Sequence, residues 1–143
     1  MSWQRDEPGT SWCEFTCAYV DMKWKTASAK YRRAIAQALT AAAPVMVVST
    51  SGQPGAQDLR RALVNWAYNT KQRSAASGDV ADVLAWLARS TRDVADLAEP
   101  ALCRQLLTAA TSRLDGTRAA PTSVRRNRAV LLNAVHETRK SVS

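Results

Sequence analysis

The sequence has 143 residues, of which 46% are hydrophobic, and its twenty Lys and Arg against twelve Asp and Glu give a formal net charge of +8. A chain of this length fits one ordinary domain and can bury a single core, which argues against disorder and against a two-domain plan. The positive charge favours a polyanionic partner and argues against an acidic-surface role.

No segment has the pattern of a membrane span or a signal peptide. The longest apolar run, residues 41–48, is interrupted by Pro44 and is far too short to cross a bilayer. The first twenty residues contain Asp6, Glu7 and Glu14, where a signal peptide would be apolar. No segment cleanly combines a basic face with a bulky apolar face, as a membrane-surface helix would. We therefore expect a cytoplasmic protein with no membrane partner.

The chain has few residues from which a metal site or a catalytic site could be built. The three cysteines, Cys13, Cys17 and Cys103, cannot pair evenly, and a cytosolic chain would keep them reduced. With His136 the only histidine, a zinc site would need distant residues to converge. The sequence also lacks a Gly-rich phosphate loop and a Cys-x-x-Cys motif. We therefore expect the cysteines to be small buried or half-buried thiols. We expect no metal, no other cofactor and no small-molecule substrate.

The chain begins with a polar segment and continues with a helical pattern. Residues 1–11 carry Pro8 and Gly9 among charged side chains and predict a flexible leader, and one helical domain is expected over residues 12–140. In that domain, four apolar residues at spacings of three and four predict the buried stripe of a first helix: Trp12, Phe15, Tyr19 and Met22.

The second and third helices are predicted from similar stripes. The second begins after Ser28 and is ended or kinked near Pro44. Its predicted buried line is Tyr31, Ile35 and Leu39. Residues 49–56 form a loop by composition, and the third helix follows with four residues facing inward: Leu59, Leu63, Trp66 and Ala67. Residues 69–78 are predicted to be another polar loop.

Three further helices complete the pattern. The predicted fourth has Asp79 as its N-cap and four residues on one face: Val80, Val83, Leu84 and Leu87. A fifth starts near Glu99 with Pro100 in its first turn and ends at Asp115-Gly116. Its buried row is Leu102, Leu106, Ala110 and Leu114. The last starts after Pro121 and groups Val124, Leu131 and Val135 on one side. No stretch alternates apolar and polar residues as a β-strand would, so the predicted fold is an all-α compact bundle of five to six helices.

Basic residues concentrate in two places outside the predicted core. Five of them fall within eleven positions, with no acid after Asp21: Lys23, Lys25, Lys30, Arg32 and Arg33. Arg125, Arg126 and Arg128 follow one another at the start of the last helix. Such clusters fit contacts with phosphates, and they also fit an ordinary solvated face.

One spacing near the C-terminus resembles a catalytic pattern. His136-x-x-Arg139 would put an imidazole and a guanidinium on one side of a helix, which suits a phosphate transition state. The pattern is loose, and no tyrosine lies downstream of it to act as a nucleophile. We therefore interpret it as an exposed helix end and expect a chain that is not an enzyme by itself.

Four strings of the sequence resemble, in order, the N-terminal core-binding domain of tyrosine recombinases, the phage-integrase-like site-specific recombinases, over roughly residues 12–135. They are FTCAYVDMKWKTASAKYRRAIAQAL, DLRRALVNWAYN, DVLAWLARSTRDVADLAEPALCRQLL and SRLDGTRAAPTSVRRNRAVLLNAV. The resemblance implies a SAM-like helical bundle that grips duplex DNA at a recombination site. The family's separate catalytic domain would follow near Ala134, whereas this sequence continues as HETRKSVS. Strand cleavage is therefore not expected of this chain.

The resemblance also implies which residues face the DNA. Together with the basic pattern it defines a corner cluster between the first two helices: Lys23, Lys25, Thr26, Ser28, Lys30 and Arg33. It likewise defines a C-terminal cluster at the start of the last helix: Thr122, Arg125 and Arg126. The expected partner is double-stranded DNA. The alternative is a truncated recombinase remnant that acts as an interaction module with other recombinase subunits.

Overall fold

The computed structural model describes residues 10–109 and 121–142, and within them the chain forms an all-α bundle with six α-helices. The helices are α1 (Trp12–Trp24), α2 (Ala29–Ala42), α3 (Ala56–Ala62), α4 (Gly78–Ser90), α5 (Pro100–Thr108) and α6 (Pro121–Val142). Short 3₁₀ turns cover Ala43–Met46, Arg73–Ala75 and Val94–Ala98, and a π-helical segment covers Leu63–Ala67. The described part contains two isolated β-bridges and no strand. Every helix in it is too short or too polar to cross a membrane.

Local sequence signals explain where most helices begin. Ser11 and Glu14 form a capping box at α1, in which each side chain accepts a hydrogen bond from the other residue's backbone N–H. Ser28 caps α2, and Glu99 caps α5 ahead of Pro100. The predicted starts of α1, α2 and α5 are thus confirmed, as is that of α6 at Pro121.

The core forms where α1, α2 and α6 pack together and the shorter helices cover them. Its largest fully buried side chains include Trp12, Ile35, Leu39, Leu87, Leu106 and Leu131. A hydrogen bond of 2.8 Å joins the buried hydroxyls of Thr16 and Tyr68 inside this core. Each hydroxyl therefore keeps a partner away from water.

Two sequence predictions about burial and one about a helix cap were wrong. Met22 and Tyr31 were expected in buried stripes, but they are 50% and 42% exposed. Both lie near the ends of their helices. There the apolar residues still recur with the 3.6-residue helical period, but no neighbouring helix covers their side chains. Asp79 was expected to cap α4, whereas the cap position is Ser77 and Asp79 lies within the first turn. Trp86, which was not predicted, is buried in α4 and donates its indole N–H to the backbone carbonyl of Ser51 at 2.8 Å.

Some predicted elements lie outside the described residues. Residues 1–9 of the expected leader are among them, while Thr10 accepts a backbone hydrogen bond from Val94. Ala110, Leu114 and the Asp115-Gly116 stop of the fifth helix also fall outside.

A polar tether joins α1 to the segment that follows the π-helix. Arg73 donates to the carboxylate of Asp21 at 2.8 Å, to the backbone carbonyl of Ala67 at 2.8 Å and to that of Cys17 at 3.3 Å. Thr70 donates to the other Asp21 oxygen at 2.6 Å. The hydrogen bond from Arg73, supported by that from Thr70 against the opposing effect of burial, holds the pKa of Asp21 below its ordinary value.

Because of this tether, we expect part of the free energy of unfolding to depend on pH. Because folding lowers the pKa of Asp21, its contribution is fully present above the unfolded pKa and is lost as the pH falls through the folded pKa. Asp21→Asn should therefore reduce the free energy of unfolding at pH 7 by up to about 1 kcal/mol, the range for half-exposed pairs. The difference from wild type should shrink as the pH falls below about 4. Urea denaturation at pH 7 and pH 3 measures it, and a deficit that is equal at both values would contradict the tether.

Candidate nucleic-acid interface

The turn between α1 and α2 is held in place by its own hydrogen bonds. α1 ends at Trp24, and the backbone N–H groups of Thr26 and Ala27 donate to the carbonyl of Lys23 at 3.2 and 3.0 Å. The Ser28 hydroxyl then accepts the N–H of Tyr31 at 3.1 Å, which starts α2. The corner cluster therefore lies on a fixed turn rather than on a loose loop.

Most of the corner cluster faces solvent. Lys25, Thr26, Ser28, Lys30 and Arg33 are exposed. Lys23 is half-buried, because its ammonium lies 5.6 Å from the centre of the Tyr19 ring. The exposed lysines and Arg33 are the members best placed to reach a ligand, while the oxygen of Ser28 already serves the helix cap.

The C-terminal cluster occupies the first turns of α6. Thr122, Arg125 and Arg126 are exposed there, whereas Asn127, Val130 and Leu131 turn inward. This α6 face packs against α2 and the segment Val94–Ala98. Arg128 is exposed as well.

Tyr19, against which Lys23 of the corner cluster lies, also contacts α6. Its hydroxyl donates to the amide oxygen of Asn133, and burial, with added effects from Tyr31 and Glu137, raises the pKa of Tyr19. The C-terminal cluster precedes Asn133 by two to three helical turns, roughly 10–17 Å along α6 at 1.5 Å per residue.

Among the described residues, no carboxylate forms an ion pair with the exposed cations of either cluster. The ion pairs in the described ranges are Arg61 with Asp58, Arg73 with Asp21, and Arg92 with Asp96. All three pairs lie outside the clusters. Exposed cations on ordered helix starts can neutralise an approaching anion without first breaking an internal pair.

Arg32 belongs to the same basic run but has a structural role. Its guanidinium lies 4.3 Å from the centre of the Trp24 ring, and its Nε donates to the Trp24 carbonyl at 3.1 Å. It thus stacks on an aromatic ring and satisfies a carbonyl at the end of α1. The corner cluster expected from the sequence includes its neighbour Arg33 and leaves Arg32 out.

An open pocket of about 320 Å³ lies beside the corner cluster. Its wall includes Trp24, Arg32 and Arg33 from the corner, and Asn65 and Asn69 from the π-helical region. The two asparagines were not predicted as site residues. Their i, i+4 spacing would have placed them on one helical face, and that signal could have drawn attention to them.

The remaining chemistry-bearing residues are dispersed. Cys13 is buried and Cys17 half-buried. The interaction between their thiols, together with burial, raises the pKa of Cys13, and the same interaction lowers the pKa of Cys17 against the opposing effect of burial. Within the described ranges, no three His, Cys, Asp or Glu side chains converge. His136 is exposed on α6, and the side chain of Arg139 lies outside the described residues.

In comparisons with known proteins, no family model, curated protein or solved structure matches this chain.

Proposed function

We propose that this chain is a DNA-binding module, comparable in role to the core-binding domain of tyrosine recombinases, which grips duplex DNA without cleaving it by itself. The observation that carries the proposal is the corner cluster. Lys25 is exposed on a turn held by backbone hydrogen bonds and a helix cap, and Lys30 and Arg33 are exposed on the first turns of α2 that follow it. A backbone that is already ordered loses no further conformational entropy when a polyanion binds.

Both clusters carry exposed cations that could contact phosphates of duplex DNA. Contacts of this kind set the position of a protein on DNA, and they supply a strongly salt-dependent affinity.

The C-terminal cluster gives a direct test of this arrangement. Replacing Arg125 and Arg126 together with alanine should weaken binding to duplexes of any sequence by at least tenfold at 0.1 M salt, because each lost phosphate contact contributes roughly eightfold there. The helical circular dichroism signal should not change, since both side chains are exposed. Unchanged binding would remove the C-terminal cluster from the proposed interface.

A second candidate is the interaction module with recombinase subunits, and exposed apolar side chains favour it. Met22, Tyr31 and Leu132 are 50%, 42% and 48% exposed on α1, α2 and α6. Exposed apolar residues that form a continuous patch mark protein-binding surfaces. Sedimentation velocity without DNA separates the candidates, because concentration-dependent self-association would support the interaction module and a strictly monomeric protein would count against it.

A further inference from the structure

The pocket beside the corner cluster has the chemistry of an anion site. In the described structure its polar wall consists of two arginines and two asparagines, and none of its lining residues is acidic. Arg33 is exposed, and so is Asn65, whose side chain has no hydrogen-bond partner among the described residues. Guanidinium and amide N–H groups converging without a carboxylate favour a negatively charged ligand.

One arginine of the wall is fixed in advance. The stacking of Arg32 on Trp24 and its bond to the Trp24 carbonyl occupy Nε and Nη2, and Nη1 keeps no partner within the described residues. A guanidinium held in this way loses little conformational entropy when a ligand arrives. The positive charge at the pocket is therefore pre-organised.

The π-helical segment and the residues that follow it supply the amides. The Tyr68 N–H donates to the Leu63 carbonyl at 2.8 Å, which is the i to i+5 bond of a π-helix. Asn65 and Asn69 both line the pocket next to this segment. The Asn69 side-chain oxygen accepts the backbone N–H of Lys71 at 3.1 Å, an arrangement that leaves its NH₂ group as a donor. Such segments are rare and are often found at functional sites.

The size of the pocket also limits the ligand. A volume of about 320 Å³ is near the lower end for small-molecule sites, which run from roughly 300 to 1,000 Å³. It admits a phosphate group with its attached sugar. Val64 and Trp24 add apolar surface to the lining.

We propose that this pocket seats one phosphate group of the bound DNA, with Arg33 and Asn65 as its principal donors and Arg32 and Asn69 beside them. The inference rests on the proposed function and deepens it. The exposed lysines of the corner cluster attract the backbone from a distance, whereas the pocket holds a single phosphate and so fixes the register of the module on the duplex.

The test uses a matched pair of amide-to-carboxylate variants of the full chain. Asn65→Asp keeps the side-chain volume and puts a negative charge in the pocket, and Gln105→Glu makes the same charge change on an exposed position of α5. Asn65→Asp should weaken binding to a random duplex by about tenfold or more, since hydrogen bonds to charged groups are strong. Gln105→Glu should change the affinity less than threefold. Equal effects of the two variants would overturn the pocket assignment.

A second measurement separates this inference from the proposed function. Side-chain amide signals of Asn65 and Asn69 are followed by ¹H–¹⁵N NMR during titration with inorganic phosphate, with chloride at equal ionic strength as the control. Saturable shifts with phosphate alone, lost in Asn65→Asp, are expected. Wild-type protein that binds duplex DNA but shows no phosphate-specific shift would overturn the pocket and leave the DNA-binding proposal standing. Phosphate-specific shifts without duplex binding would support the pocket and contradict the DNA-binding proposal.

Discussion

Reversing the charges of Lys25 and Lys30 together is expected to weaken duplex binding by about two orders of magnitude at 0.1 M salt. Each phosphate that a cation neutralises contributes roughly eightfold at this salt concentration, so two lost contacts amount to roughly sixtyfold, and the new carboxylates add repulsion. Both lysines are exposed, so the fold should tolerate Lys25→Glu and Lys30→Glu. Fluorescence anisotropy with a labelled random duplex measures the loss.

A control of equal charge distinguishes a local contact from a general effect of net charge. Arg89 and Arg104 are exposed on α4 and α5, outside both clusters. Arg89→Glu with Arg104→Glu changes the net charge by the same amount and should reduce affinity by less than tenfold. If the two double variants lose affinity equally, the binding is spread over the whole surface and the corner cluster is not the interface.

Replacing Leu131 with alanine is expected to destabilise the protein by about 3 kcal/mol. Leu131 is completely buried on the face of α6 that packs against the core. Loss of a buried leucine side chain removes its transfer free energy and leaves a cavity, which together cost 2–5 kcal/mol in typical cores. Domains of this kind have roughly 5–15 kcal/mol of stability in total. A large fraction of it would therefore be lost, and urea denaturation gives the value.

The next residue along α6 provides the matched control. Leu132 is 48% exposed, so Leu132→Ala removes the same atoms from a site where water already reaches them. Its effect should be below about 1 kcal/mol. Similar losses for Leu131→Ala and Leu132→Ala would contradict the orientation of α6 in the bundle.

Most helix starts were predictable from the sequence because their signals are local, although the cap of α4 is Ser77 and not Asp79. The start signals at Ser28, Pro100 and Pro121 involve only a few neighbouring residues, and helices begin at these points in the structure. Burial was less predictable, since it depends on which helix covers a given stripe. Met22 and Tyr31 fit the apolar period of their helices, but they lie beyond the part of each helix that α6 and its neighbours cover. Both side chains are therefore exposed.

Parts of the candidate site were also predictable from the sequence, and parts were not. Exposed cations such as Lys25 and Arg33 could be predicted from the charge pattern and the helical period. The pocket depends on contacts between distant segments, because Arg33 and Asn65 meet there only when α2 packs beside the π-helical region. The sequence assigned Arg33 and not Arg32 to the corner cluster, but it did not show that Arg32 stacks on Trp24.

The salt dependence of duplex binding tests the central claim most directly. Anisotropy of a labelled random duplex is measured at several salt concentrations, with heparin as a competing polyanion. If about five phosphates are neutralised across the two clusters, the logarithm of the affinity should fall against the logarithm of the salt concentration with a slope of roughly −4 to −5. A slope near zero, or no binding at low salt, would contradict the DNA-binding account and make the exposed charge an ordinary solvated surface.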